Sequence, residues 1–193
     1  MSMKKMLSPW VIILGVVVIL SLWVVASYNG FIGGKANVDN AWAQVETQYQ
    51  RRADLIPNLV ASTKGAADFE QSTFTEVTAA RSAWASAKAT GTRQDQIVAS
   101  QNFDSALSRL LVTVEAYPQL QATQAFRDLM VQLEGTENRV AVARKDFNDA
   151  VTAYNVQVKT VPGVFVARLF GFTPEQMFEA KEGADDAPVV DFQ

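Results

Sequence analysis

The sequence predicts an all-α protein. We expect an N-terminal transmembrane helix, an elongated antiparallel four-helix bundle, a short C-terminal helical segment and an extended tail. Two observations support this class. One apolar run extends from Trp10 to Ala26, and about 20 residues rising 1.5 Å each span the roughly 30 Å hydrocarbon core of a bilayer. Beyond that run, apolar residues recur at steps of three and four, which is the spacing of amphipathic helices.

The apolar run is either a retained membrane anchor or a cleaved secretory signal. Trp10 lies at one end, and Trp23 and Tyr28 lie at the other, as in the aromatic belts at membrane interfaces. The run is also longer than the apolar core of a usual signal peptide. Val24 and Ala26 would nevertheless fit the small residues required before a cut after Ala26. We expect the retained anchor.

Flanking charges predict the orientation of the anchor. Lys4 and Lys5 precede the apolar run, and only Lys35 follows it closely. Because Lys and Arg accumulate on the cytoplasmic side of membrane segments, we expect the N-terminus in the cytoplasm. The rest of the chain would then lie on the periplasmic or extracellular side.

Composition divides the chain into four parts. Residues 1–28 hold the cytoplasmic tail and anchor, and the glycine-rich residues 29–36 are expected to form a flexible joint. Residues 37–178 form the helical bundle, and the acid-rich residues 179–193 form an extended tail. Within the bundle, the pattern predicts helices over about 37–65, 68–89, 93–117, 120–160 and 164–171.

Two charged residues stand in the apolar heptad seam of the fourth bundle helix. Glu137 and Arg144 lie one heptad apart in that seam, where an unpaired charge costs several kcal/mol. An antiparallel first helix would set Arg52 against Glu137 and Asp54 against Arg144. The sequence therefore predicts an ion network of Arg51, Arg52, Asp54, Glu137 and Arg144. The alternative is that Glu137 and Arg144 lie at the margin of the seam and extend their charged ends into water.

Two C-terminal segments are apolar enough to pack or to bind. Residues 164–172 carry six large apolar side chains around one arginine, so they either cap the bundle, which we favour, or form a patch for lipid or a partner protein. Residues 189–192 follow a proline and suit strand addition or groove binding, or else they pack on the bundle or fray. The candidate partner-contact residues are Phe165, Leu169, Phe170, Phe172, Val189, Val190 and Phe192.

Composition also argues against several functions. The sequence has no histidine and no cysteine, so the usual general base, thiol nucleophile and soft metal ligands are absent. Glu134 and Glu137 have the spacing of a dinuclear carboxylate motif but lack its imidazole. A net charge of −3 without a dense basic patch gives nucleic acid little to bind. We expect no enzyme activity, no catalytic or metal site, no cofactor and no nucleic-acid partner.

Two blocks of the sequence resemble the bacterial LemA family. They span residues 41–60 and 133–155, and the similarity extends from the anchor to residues 187–192. The resemblance implies a bacterial inner-membrane protein with a short tail, one spanning helix and an antiparallel helical bundle, without an assigned reaction. The matching positions are Arg51, Arg52, Asp54, Pro57 and Asn58 in the first block and Glu137, Asn138, Arg139, Arg144, Tyr154 and Asn155 in the second.

From these features we expect a membrane-anchored scaffold or adaptor. Its partners would be the lipid bilayer together with further copies of itself or with other envelope or membrane proteins. Alanines such as Ala79 and Ala83 permit close approach of another helix, although alanine also simply favours helix. A lipid or small-ligand binding module is the alternative, and an enzyme with a carboxylate-based site is the second alternative.

Overall fold

The computed structural model describes residues 9–63, 71–118 and 122–178. Across these residues the protein is all-α, as predicted, with no strand. The acidic tail predicted for residues 179–193 lies outside the described residues. The helices are α1 (Pro9–Thr63), α2 (Gln71–Thr90), α3 (Arg93–Glu115), α4 (Gln124–Lys159) and α5 (Gly163–Phe170).

Helix α1 runs through the stretch that was expected to be a flexible joint. It is one helix of 55 residues and contains residues 29–36 as well as Pro57. The prediction of a flexible joint is therefore wrong. The reason is tertiary packing: a Cβ atom at Gly34 would lie 3.1 Å from the ring of Tyr154 on α4. At this position glycine allows the two helices to pack closely, and it does not break the helix.

The chain separates into two compact units. The prediction of a single bundle over residues 37–178 differs from this division. Among the described residues, the first unit contains 9–41 and 147–175. The second unit contains 42–146 and 176–178. Helices α1 and α4 contribute residues to both units because each is longer than either unit requires.

The first unit includes the apolar part of α1. Within the described residues, α1 is the one helix long and apolar enough to cross a membrane, and none of its most apolar window is buried. A signal sequence near the N-terminus shares both properties. The length and composition therefore fit a membrane span without deciding between anchor and signal.

Next to this apolar part, α5 and the residues that follow it pack on α1. The ring of Tyr28 lies 5.0 Å from that of Phe170 and 5.5 Å from that of Phe172, measured between centroids. Phe31 contacts Phe172 at 5.2 Å. Helix α5 ends at Gly171, whose φ of 76° belongs to the left-handed region that favours glycine. This turn directs the chain back along α1.

The returning segment is fixed by a pair of hydrogen bonds to one side chain. The Asn155 side chain donates to the carbonyl of Glu175 and accepts from its N–H, both at 2.8 Å. The Glu175 carboxylate also pairs with Lys35 on α1. These contacts join α1, α4 and residues 172–175 within the first unit.

The second unit buries one face of α1. This face repeats at steps of three and four residues, and α2, α3 and α4 supply the facing apolar side chains, among them Trp84, Phe103 and Val140. One buried position on the α1 face is charged. The buried residues of α1 in this unit are Trp42, Val45, Tyr49, Arg52, Ala53, Ile56 and Leu59.

Helix α3 begins with a capping box. Asp95 donates its N–H to the Thr92 hydroxyl at 3.3 Å, and the Asp95 carboxylate accepts the Thr92 N–H at 2.8 Å. These bonds satisfy two N–H groups at the start of the helix. Thr92 is therefore the N-cap residue of α3.

Candidate functional site

A buried ion network lies in the second unit, centred on Asp104 of α3. One Asp104 oxygen accepts a hydrogen bond from Arg52 at 2.6 Å. The other accepts from the Tyr49 hydroxyl at 2.9 Å and from Arg144. Arg52 also contacts Glu137 and donates to the Thr136 hydroxyl at 3.3 Å. We call this set, Tyr49, Arg52, Asp104, Thr136, Glu137 and Arg144, the Asp104 cluster.

Burial differs greatly among the charged members of the Asp104 cluster. The side chains of Arg52 and Asp104 are 1% and 11% exposed, whereas those of Arg144 and Glu137 are 26% and 63% exposed. Burial lowers the pKa of the Arg144 guanidinium to about 10. Arg144 therefore remains protonated at pH 7, and two cations face two anions.

The structure brings together only part of the predicted ion network. Arg52 and Glu137 are in contact, but Arg144 pairs with Asp104 instead of Asp54. Asp54 is exposed and accepts a hydrogen bond from Gln50 at 2.9 Å. Arg51 is also exposed. Both lie on the solvent side of α1, because one step along a helix rotates a side chain by about 100°.

The sequence analysis missed Asp104. This residue follows Phe103 and precedes Leu107 by three positions, so it lies on the buried stripe of α3. The same test that identified Glu137 and Arg144, a charge on an apolar stripe, would have found it.

Aromatic rings cover one side of the Asp104 cluster. The Arg144 guanidinium lies 4.9 Å from the centroid of the Phe178 ring, and that ring stacks on Trp42 at 5.8 Å. The Trp42 indole N–H lies within hydrogen-bonding distance of Glu46 and of the Gln96 side chain. These rings exclude water from the charges and strengthen their attraction.

The geometry of the Asp104 cluster suits a structural role better than proton transfer. The Asp104 carboxylate is largely buried, and side chains of α1 and α4 donate hydrogen bonds to it, as expected for a charge that joins helices. In the part of the chain that the structure describes, no group of three or more acidic, His or Cys residues is arranged to hold a metal ion.

The candidate partner-contact residues fall into two groups. Phe165 and Leu169 on α5 are 64% and 75% exposed. Phe170 and Phe172 instead contact the ring of Tyr28. Val189, Val190 and Phe192 lie outside the described residues. Among the anchor aromatics, Trp10 is exposed and Trp23 is half-buried.

The second unit also has an apolar groove of about 460 Å³ between the end of α3 and the start of α4. Its apolar lining comes from Leu111 and Val114 on α3 and from Phe126, Met130 and Val131 on α4. Glu115, Arg127 and Glu134 complete it.

These features define a helical protein whose helix α1 is long and apolar enough to span a membrane and whose second unit has a buried ionic core. The profile of the LemA family matches residues 41–192. The chain therefore belongs to the LemA family, as its sequence predicted.

Magnetosome proteins of two bacteria are similar to this chain. Magnetosome proteins MamQ 1 and MamQ 2 of Paramagnetospirillum magneticum are each 27% identical over 186 residues, which cover 84% of this chain and 68% of theirs. Magnetosome protein MamQ of Magnetospirillum gryphiswaldense is similar to the same extent.

Proposed function

We propose that this protein is a membrane-anchored helical scaffold or adaptor without catalytic activity. The main support for the proposal is that the two parts of α1 have different surroundings. Its N-terminal part exposes apolar side chains such as Ile13, Val17 and Leu20, which only a lipid or protein environment would cover. Its C-terminal part supplies buried core residues to the second unit.

The proposed architecture of the second unit is an antiparallel four-helix bundle. Contacts of Asp104 with Arg52 and Arg144 join α3 to α1 and α4, and only Gly91 and Thr92 separate α2 from α3. Such a short connection favours antiparallel neighbours. A bundle of this kind offers long exposed helix faces for partners.

The proposed topology is a cytoplasmic N-terminus with the second unit on the periplasmic or extracellular side of the bacterial inner membrane. The natural chain has no cysteine, so single-cysteine variants report one position each. We expect a membrane-impermeant maleimide added to spheroplasts to label Ala89→Cys and not Ser2→Cys. After membrane disruption both should label, and the cysteine-free parent should not. The reverse labelling pattern would contradict the topology.

The proposed partner is a further copy of the chain or another membrane protein, and the exposed face of α2 supports self-association. Ala79, Ser82, Ala83 and Ser86 are exposed small residues along that helix, which lets another helix approach closely. We expect the detergent-extracted full-length protein to have a protein mass that is a multiple of 21.1 kDa in light scattering.

The double variant Ala79→Gln with Ala83→Gln tests the α2 face. We expect it to lower the oligomer mass without changing the melting temperature, because both positions are exposed. Ala141→Gln on the exposed surface of α4 is the matched control. A monomeric parent would exclude self-association and leave a different membrane protein as the partner.

A second candidate function is lipid or small-ligand binding in the groove between α3 and α4. The groove is lined mainly by apolar side chains, as ligand pockets are. We expect native mass spectrometry of the purified protein to detect a bound molecule that Leu111→Trp displaces. Val112→Trp, on the exposed face of the same helix, should retain it. A parent protein without added mass would leave this candidate unsupported.

A further inference from the structure

Helix α5 has two apolar faces, and only one of them is buried. Val166 and Ala167 pack inside the first unit. On the other side, Phe165 and Leu169 are four residues apart and remain exposed, and Val161, which precedes the helix, is exposed as well. A row of large exposed apolar side chains is costly in water, so the packing of α5 within the unit does not account for this face.

The position of α5 along α1 is fixed by aromatic contacts. Phe170 contacts Tyr28, and a Cβ atom at Gly163 would lie 3.4 Å from the ring of Phe31. Helix α5 therefore lies beside residues 28–31, immediately after the exposed apolar part of α1. These contacts all lie within the first unit.

The covered face of α1 extends into the apolar segment itself. Trp23, Ser27 and Phe31 are spaced four residues apart and share one helix face. Trp23 and Ser27 are half-buried, whereas Trp10 to Leu22 are exposed throughout. The packed part of the first unit thus overlaps the last turns of the segment that fits the membrane core.

We propose that α5 is an interfacial helix whose exposed face of Phe165 and Leu169, together with the preceding Val161, inserts into the outer part of the lipid bilayer. This inference rests on the proposed membrane anchoring by α1. If residues 10–26 cross the hydrocarbon core, Tyr28 and the α5 helix beside it lie at the level of the lipid headgroups. The exposed α5 face then continues the lipid-covered surface of α1.

The composition of α5 fits a lipid interface. Arg168 is exposed between Phe165 and Leu169, where its guanidinium can reach lipid phosphates while the apolar side chains enter the acyl region. Tyr28 contacts Phe172 at this level, and Trp23 lies on α1 near the end of the apolar run, so aromatic rings flank this boundary as in an aromatic belt. Continuity with the apolar surface of α1 favours lipid over a protein partner as the occupant.

The test uses full-length single-cysteine variants labelled with an environment-sensitive fluorophore and reconstituted in phosphatidylglycerol–phosphatidylethanolamine vesicles. Leu169→Cys probes the α5 face and Val161→Cys probes the residue just before the helix, and the high exposure of both side chains makes the fold tolerant of the label. Val18→Cys reports the anchor. Val112→Cys, an equally exposed apolar position on α3, is the matched control.

We expect brominated lipids to quench the labels at positions 161, 169 and 18, and to leave the label at position 112 unchanged. Aqueous iodide should quench position 112 more strongly than positions 161 and 169. If brominated lipid quenches position 18 but iodide quenches positions 161 and 169, α1 is in the bilayer and α5 is in water. That result would overturn the inference and leave the anchoring by α1 intact. Protection of 161 and 169 from both quenchers would indicate a protein partner instead. Absence of lipid quenching at position 18 would overturn the anchoring and the inference together.

Discussion

Asp104 holds together three helices through a single carboxylate. It accepts hydrogen bonds from Arg52 on α1, Arg144 on α4 and the hydroxyl of Tyr49. Removing one partner from a buried pair costs more than the pair contributes, because the remaining charge stays buried without compensation. Loss of Asp104 would leave two guanidinium groups facing each other in the core.

Asp104 is largely buried and Glu137 is largely exposed, so we predict very different effects for the loss of these two acids. We expect Asp104→Ala to lower the free energy of unfolding by about 3–5 kcal/mol, the usual cost of breaking a buried pair. Glu137→Ala should cost less than about 1 kcal/mol, because a largely exposed ion pair is screened by water. Chemical denaturation of the full-length protein in detergent, followed by circular dichroism, measures both.

The exposed pair of Arg109 and Glu76 provides the control for the Asp104 cluster. Glu76→Ala should behave like Glu137→Ala, since both acids are exposed. Equal losses for Asp104→Ala and Glu76→Ala would contradict the structural role of the cluster. Arg52→Ala should lower the free energy of unfolding by about as much as Asp104→Ala does. A loss below about 1 kcal/mol for Arg52→Ala would also contradict the structural role of the cluster.

Residue patterns could predict one half of the ion network but not the other. The heptad seam of α4 and the charged residue on the α1 face were enough to place Glu137 beside Arg52. Asp54 was chosen for Arg144 because it lies close to Arg52 in sequence, whereas the partner comes from α3. A pattern within one helix shows which residues face inward, and it does not show which third helix meets them.

At the scale of the element, α1 shows why glycine-rich sequence does not always break a helix. A Cβ atom at Gly33 would meet nothing within 4 Å, whereas at Gly34 it would meet Tyr154 and Gln157. Composition predicts the same flexibility for both positions. Only the packing of α4 distinguishes them, and composition alone does not show which helix packs against a glycine.

The two glycines form a matched pair for a test. We expect Gly33→Ala to raise the free energy of unfolding by up to about 1 kcal/mol, the difference in helix propensity. Gly34→Ala should not stabilise the protein, since the added methyl group pushes against Tyr154. Thermal melts of both variants in the same detergent compare them. Equal stabilisation would show that α1 and α4 do not pack closely at Gly34.

The capping box of α3 predicts a dependence on pH. Hydrogen bonds from the Thr92 hydroxyl and then from the Thr92 N–H lower the pKa of Asp95 from its ordinary value of 3.8. A carboxyl whose pKa is lowered by folding stabilises the protein above its unfolded pKa, and this stabilisation is lost as pH falls through the folded pKa.

We therefore expect Asp95→Ala to lower the melting temperature at pH 7 and to have less effect as the pH falls below 3.8. The parent and the variant should be melted in parallel across that range. A difference in melting temperature that stays constant from pH 7 to pH 3 would contradict the role of the ionised carboxylate in the cap.

At the scale of the whole molecule, the all-α class followed from the periodicity of the apolar residues. The division into two units did not follow, because α1 and α4 run through both without a break in pattern. The return of residues 172–175 along α1 was also not predicted. It depends on Asn155, whose side chain hydrogen-bonds both backbone groups of Glu175, and on the left-handed turn at Gly171.

Retention of the anchor is the prediction that belongs to the whole chain. We expect the protein in washed membranes to keep residues 1–26, because the run from Trp10 to Ala26 is long enough to span the bilayer. Intact-mass measurement after alkaline carbonate extraction tests this. A mass that corresponds to a chain beginning at Ser27, recovered in the aqueous wash, would show that the run is a cleaved signal.

The wide sequence separations within the Asp104 cluster affect how the protein is made. Arg52 leaves the ribosome 52 residues before Asp104 and 85 residues before Glu137, so the nascent α1 carries an unpaired cation on its apolar face. Early collapse of α1 onto α2 alone would bury that cation at high cost. The second unit can therefore complete its folding only after most of α4 has been synthesised.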